Sequence, residues 1–123
     1  MIVRIDRAWL LDLAHRHLPS DPDVVDFGTL QAAAWRHADE VMGTPVYTEP
    51  HHRAAALMHQ LIRCPGLEHS NELFGAVVAA SYLVVSGQIV DVQPKQAAAL
   101  AARIDRDALS VRQVADEIRK WIS

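Results

Sequence analysis

Apolar residues recur at helical spacing along most of this chain, and each periodic stretch is closed by proline, glycine or a polar run. The first, with Trp9, Leu10, Leu13 and Leu18, predicts a helix from about Asp6 to His17, stopped by Pro19-Ser20-Asp21-Pro22. A second starts near Asp26 and runs through Leu30, Ala34 and Trp35 toward Val41, where Gly43-Thr44-Pro45 breaks it. Between Pro45 and Pro50 the strand-like Val46-Tyr47-Thr48 has room for no more than a flap. The third helix begins at about His51 and carries Ala54, Leu57, Met58, Leu61 and Ile62 on one face, ending before Pro65-Gly66. A fourth, from about His69 to Val85, is apolar almost all round and closes at Gly87, the pattern of a helix surrounded by others. Gln88 to Val92 reads as a short extended piece. A fifth helix then runs from Pro94, well placed in a first turn, to about Ile104, and a sixth from the N-cap Ser110 to Trp121. The pattern predicts an all-α fold: one domain over residues 1–123, a compact bundle of about six helices around a central helix over 69–86.

Composition narrows the function classes. At 123 residues, with 50% hydrophobic and 22% charged residues, the chain suits a single globular domain. A net charge of -3 argues against nucleic acid or an acidic membrane as partner, since both require a basic face to displace counterions. No basic residues interleave with Trp9, Trp35 and Trp121, which read as core or groove residues rather than a stacking platform. Charges interrupt the N-terminal apolar stretch, unlike a signal peptide, and Phe74 to Ser86 falls short of the roughly twenty residues that span a bilayer. The lone Cys64 allows no internal disulfide and, at a helix C-terminus, is poorly placed as a thiolate nucleophile, so a cytoplasmic setting is expected.

From Arg53 to Gly87 the order of residues matters as well as their pattern. The stretch Arg53-Ala-Ala-Ala-Leu-Met-His-Gln-Leu-Ile-Arg63, then Cys64 to Leu73, then an apolar helix closing at Gly87, resembles the Doc branch of the Fic/Doc family, small toxins of toxin-antitoxin pairs. Asp26-Phe-Gly-Thr-Leu-Gln-Ala-Ala and Leu109-Ser-Val-Arg-Gln-Val-Ala resemble that family's early and closing helices, so the likeness covers nearly the whole chain. The family signature reads His, any residue, Phe, any residue, Asp or Glu, a small residue, Asn, and in Doc-like members Lys-Arg. Here Pro65 stands at the histidine position, Leu67 at the Phe, His69 at the acid and Ser70 at the small residue; Asn71 matches, and Glu72-Leu73 replace Lys-Arg.

The resemblance therefore implies the fold without the chemistry. In active relatives the histidine deprotonates a target hydroxyl, and loss of a positioned general base costs about a hundred- to ten-thousandfold in rate. His69 offers imidazole where Mg²⁺ requires a hard oxygen, so no metal site is expected. Glu68 and Glu72 flank a helix N-terminus that in relatives holds phosphates. A like charge at about 4 Å costs roughly 1 kcal/mol in water-like surroundings and roughly 4 at an effective dielectric of 20, more than the dipole contributes. ATP should not bind in the family's manner, and no cofactor is expected.

The polar run Glu68-His69-Ser70-Asn71-Glu72 admits three readings. It caps a helix, with Ser70 or Asn71 as N-cap and the acids facing the dipole. It is a rebuilt catalytic pocket in which His69 works with Glu68 or Glu72 as an acid–base group, which requires His69 in a concavity within hydrogen-bond reach of a glutamate or of Asn71. Or the former nucleotide loop, with Ser70 and Asn71, survives as part of a surface that binds an antitoxin-like or other protein partner. The other histidines suggest less: His52 and His59 are too far apart for an i, i+4 metal pair, and His59, Cys64 and His69 fit no standard zinc spacing. His59 precedes the loop and is a poor stand-in for the missing base, His15 and His17 lie on different faces of the first helix, and Tyr47 either edges the groove or packs a loop. The expected function is a non-catalytic protein-binding or regulatory module, monomer or homodimer, with the altered-chemistry enzyme as the alternative.

Overall fold

The computed structural model describes residues 2–123. The described chain is mostly α-helical, with helices α1 (Arg7–His17), α2 (Phe27–His37), α3 (Pro50–Arg63), α4 (Asn71–Val85), α5 (Pro94–Asp107) and α6 (Val111–Arg119). A two-stranded antiparallel hairpin, β1 (Glu40–Val41) and β2 (Thr44–Pro45), lies between α2 and α3. Among the described residues no helix is long and apolar enough to cross a membrane.

Local chemistry sets most helix starts. Asp6 and Asp26 accept from the N–H groups of Trp9 and Thr29, and Ser110 forms a reciprocal capping box with Gln113. Pro50 and Pro94 occupy first turns, where a missing N–H costs nothing. Four expected boundaries shift, one of them at α6, which ends at Arg119 rather than Trp121. Helix α2 stops at His37 rather than Val41, because Met42 and Gly43 both adopt positive φ (52° and 81°) and close a two-residue hairpin loop. The strand-like character therefore falls on residues 40–45, ahead of Val46-Tyr47-Thr48. Helix α4 starts at Asn71 rather than His69, because Ser70 sits in the left-handed region. Helix α5 continues past Ile104 to Asp107.

The larger correction concerns the centre of the bundle. Helix α3, not α4, is the one the others surround: it packs against α2, α4, α5 and α6, and its residues Arg53 to Met58 are buried without interruption. Ala54, Ala55 and Ala56 make this possible, since small side chains let neighbouring axes approach from several sides. Helix α4 lies against α3, α5 and α1 and buries Phe74, Val78, Ala79, Tyr82 and Leu83, while Leu73, Val84 and Val85 remain exposed. Of the tryptophans only Trp121 is fully buried; Trp9 is half-buried, and Trp35, expected in a core or groove, is 71% exposed on α2.

The connection from α3 to α4 is tied to the segment before α2. Val24 and Leu67 form a β-bridge, the amides of Val25 and Asp26 both donate to the Gly66 carbonyl, and the Glu68 amide donates to the Asp23 carbonyl. Gly66 is required by this contact: a Cβ there would stand 2.9 Å from the Asp26 carbonyl oxygen and from Leu30 Cδ1.

Candidate functional site

The loop 64–70 delivers the polar run to the N-terminus of α4. Asn71 holds it in shape: its Oδ1 accepts from the Leu67 amide and its Nδ2 donates to the Leu67 carbonyl, both at 3.0 Å. Ser70 occupies the N-cap position with φ 66° and ψ 26°, and its side chain makes no capping bond. Ser70 is thus the N-cap residue by position, as expected, but no side chain caps the helix: the asparagine amide is committed to clamping the loop, and Ser70 Oγ lies 2.8 Å from His69 Nδ1.

Pro65, Ser70, Asn71, Glu72 and Leu73, together with Ile62 and Asp105, line an open cavity of about 290 Å³ at this helix end. His69 and Glu68 are not among its lining residues. Glu68 turns back, its Oε1 accepting from the Asp23 amide at 2.9 Å, and His69 is exposed with its Nε2 3.9 Å from that same oxygen, beyond hydrogen-bond length. The geometry required for His69 to act as an acid–base group, in a concavity and hydrogen-bonded to a glutamate or Asn71, is not present. No cationic residue lines the cavity; Glu72 and Asp105 are among its lining residues, and neither forms an ion pair among the described residues. Arg63 comes near, but donates to the Asp105 main-chain oxygen at 3.0 Å. The first turn of α4 thus carries Glu72 beside a cavity with no cationic residue in its lining, and an anion approaching there is opposed by charge. Among the described residues no group of three or more His, Cys, Asp or Glu side chains is arranged to hold a metal ion.

The most organised polar cluster lies elsewhere and joins α2, α3 and α4. Arg53 is buried on α3; its Nε donates to Tyr82 Oη at 2.7 Å and its Nη1 to the Tyr47 carbonyl at 3.0 Å. Tyr82 in turn donates to the Val3 carbonyl at 2.6 Å, and its ring meets the buried His37 edge-on at 5.6 Å. His37 Nε2 accepts from the Ile5 amide at 3.1 Å while Nδ1 donates to the Ala34 carbonyl. Desolvation pushes the His37 pKa down, helped by the charges of Arg53 and Arg4 and opposed by its backbone hydrogen bonds. Arg36 extends the cluster outward, donating to Tyr47 Oη, His59 Nδ1 and Gln60 Oε1 at 3.2 to 3.3 Å. Tyr47 is therefore held between two arginines, and His59, its pKa lowered first by burial and then by Arg36, is a structural acceptor.

Sequence reasoning passed over Arg53 and His37, although both carried a positional signal. Arg53 stands four residues before the buried Leu57, and His37 seven after the buried Leu30, each on the inward stripe of its helix. The remaining polar candidates stay apart. The rings of His51 and His52 lie 4.3 Å apart at a tilt of 53° beside Glu49 and Arg119, His15 pairs with Asp21 on the surface, and Cys64 is exposed at the end of α3. No protein-family model matches this chain, and no curated protein matches it.

Proposed function

We propose that this chain is a Doc-like protein of the Fic/Doc family in which the nucleotide-transfer site has degenerated, acting as a non-catalytic protein-binding or regulatory module of a bacterial, cytoplasmic toxin-antitoxin type system. The observation that carries the reading is the combination at the α4 N-terminus. Asn71, the one residue that matches the family motif in a polar role, clamps the loop onto Leu67, while Pro65, Glu72 and Leu73 stand where the family's base and phosphate-binding cations would be. A loop kept in shape without its reactive groups suits a scaffold that has outlived its chemistry, and binding of a partner's segment in a surface groove requires no catalytic residue.

The test is direct. Purified protein incubated with labelled ATP and a bacterial lysate should transfer neither adenylyl nor phosphoryl groups, and millimolar ATP should leave its melting temperature unchanged, since a ligand raises it only by binding the folded state. Transfer of label that disappears in Asn71→Ala would overturn the reading.

A further inference from the structure

Helix α4 is apolar on every face, yet one face has no neighbour. Leu73, Val77, Ala80 and Val84 recur at i, i+4, i+7 and i+11, and the first three line an open trough of about 330 Å³ between α4 and α5, with the exposed Val84 one turn beyond it. Leu73, Val77 and Ala80 form one wall, and Pro94, Ala97 and Ala101 of α5 the other. From Leu73 to Val84 the stripe measures about 16 Å, the length of three helical turns. Its alanine floor admits a third helix at close axial distance.

The trough is polarised. Glu72 belongs both to its lining and to the adjoining cavity, which Asp105 also lines, so the apolar run ends at Glu72 with Asp105 beyond it, and neither forms an ion pair among the described residues. An anionic lipid surface or an acidic segment would meet repulsion there, whereas an apolar segment with a cation at that end would have its charge answered. A second copy of this chain laid antiparallel on the stripe would set Val84, Val85 and Ser86, none of them cationic, against Glu72.

We propose that the α4–α5 trough seats an amphipathic helical segment of another protein, about three turns long, with a Lys or Arg in the turn that reaches Glu72 and Asp105. The proposal rests on the partner-binding reading above and names the partner's chemistry.

The probe is a fluorescein-labelled, lactam-stapled peptide of about fourteen residues, long enough for a stable helix once stapled, with leucines at i, i+3 and i+7 and lysines in one terminal turn; a twin carries glutamates in place of the lysines. Fluorescence polarisation at low salt should show saturable binding of the lysine peptide and binding of its twin weaker by about tenfold or more. Ala97→Arg, which places bulk and like charge in the trough, should weaken the lysine peptide by about tenfold or more, and the double variant Glu72→Gln, Asp105→Asn should remove most of the preference over the twin. Should Ala97→Arg fail to fold by circular dichroism, Ala98→Arg on the exposed rim serves in its place. Absence of saturable binding, equal binding of both peptides, or indifference to the arginine variants would overturn the proposal. So would sedimentation showing that the chain alone forms a dimer that Ala97→Arg dissociates, which would assign the trough to a second copy. Label transfer from ATP alongside intact peptide binding would overturn only the non-catalytic reading.

Discussion

Helices α3 and α4 carry opposite sequence patterns and show the reverse of the burial those patterns suggest. Helix α3 contains His51, His52, Arg53, His59, Gln60 and Arg63, yet Arg53 to Met58 are buried without a break. Helix α4 has a single charged residue, Glu72, yet leaves Leu73, Val84 and Val85 in solvent. The difference teaches that a helix reaches the centre of a bundle by the size of its side chains as much as by their hydrophobicity. Three consecutive alanines let α2, α4, α5 and α6 close around α3, and the one cation carried inside is satisfied by Tyr82 and Tyr47. The hydrophobicity of α4 in excess of its burial is the feature that the proposed docking of a partner helix would account for.

The largest effect should come from emptying the polar centre of α3. Arg53→Ala removes the donors to Tyr82 Oη and the Tyr47 carbonyl and leaves a cavity, and disruption of a buried charged group with such partners costs about 3 to 5 kcal/mol. Urea unfolding should show that loss as a lower midpoint, with Arg53→Lys in between because an ammonium does not reproduce the planar fork. A cost below about 1 kcal/mol would mean that α3 tolerates an empty centre and that its burial follows from the alanines alone.

Next in size is the seam between the two helices. Gly75 on α4 faces Ile62 on α3, and a Cβ there would stand 2.8 Å from Ile62 Cγ1 and 2.9 Å from Cδ1. Overpacking of about 1 to 3 kcal/mol is offset by the roughly 1 kcal/mol that alanine gains over glycine in a helix, so Gly75→Ala should destabilise by about 1 kcal/mol. In a double-mutant cycle, Ile62→Ala should relieve the clash and return a favourable coupling with Gly75→Ala.

The cluster that links the two helices should also make stability depend on pH. In the unfolded chain His37 titrates near its ordinary 6.5, while burial lowers its pKa in the folded protein. Between those values the unfolded state binds more protons, so the stabilisation is fully present above 6.5 and is lost as pH falls below it, by up to about 1.4 kcal/mol per pH unit. His51 and His59, whose pKa values are also lowered, act in the same direction. Urea midpoints measured from pH 7.5 to 5 should fall, and His37→Gln should flatten the slope while lowering stability at neutral pH. An unchanged slope would remove His37 as its source.

How much of this was legible in the chain depended on the range of the interactions involved. Caps and breakers act within a few residues, so Asp6, Asp26, Ser110, Pro50 and Pro94 mark helix starts in the sequence itself. The α2 boundary was misread because the hairpin that takes up Glu40 and Val41 turns on a positive φ at Met42, and methionine carries no turn signature. At the candidate site the proline at position 65 and the acid at Glu72 could be read directly. The separation of His69 from the cavity could not, since it follows from Glu68 reaching back 45 residues to the Asp23 amide. The same limit hid Tyr82: its periodicity marks an inward position, but its partners Arg53 and Val3 lie 29 and 79 residues away.

The smallest expected effect on stability is the one that most sharpens the contrast between α3 and α4. Val84 lies on α4 at 59% exposure, one turn beyond Ala80 on the uncovered stripe. Val84→Ser removes two methyl groups that folding scarcely takes out of water, so the stability of the isolated chain should change by no more than about 0.5 kcal/mol. The same substitution should weaken the lysine-bearing peptide described above, because a covering helix would bury those methyls. Two measurements on one variant therefore separate the alternatives. A stability loss above about 1 kcal/mol would mean that the stripe is part of the chain's own core, whereas unchanged stability with weakened binding is the behaviour of an interface. Helix α3 offers no comparable position among Arg53 to Met58, where every residue is already in contact with its own fold.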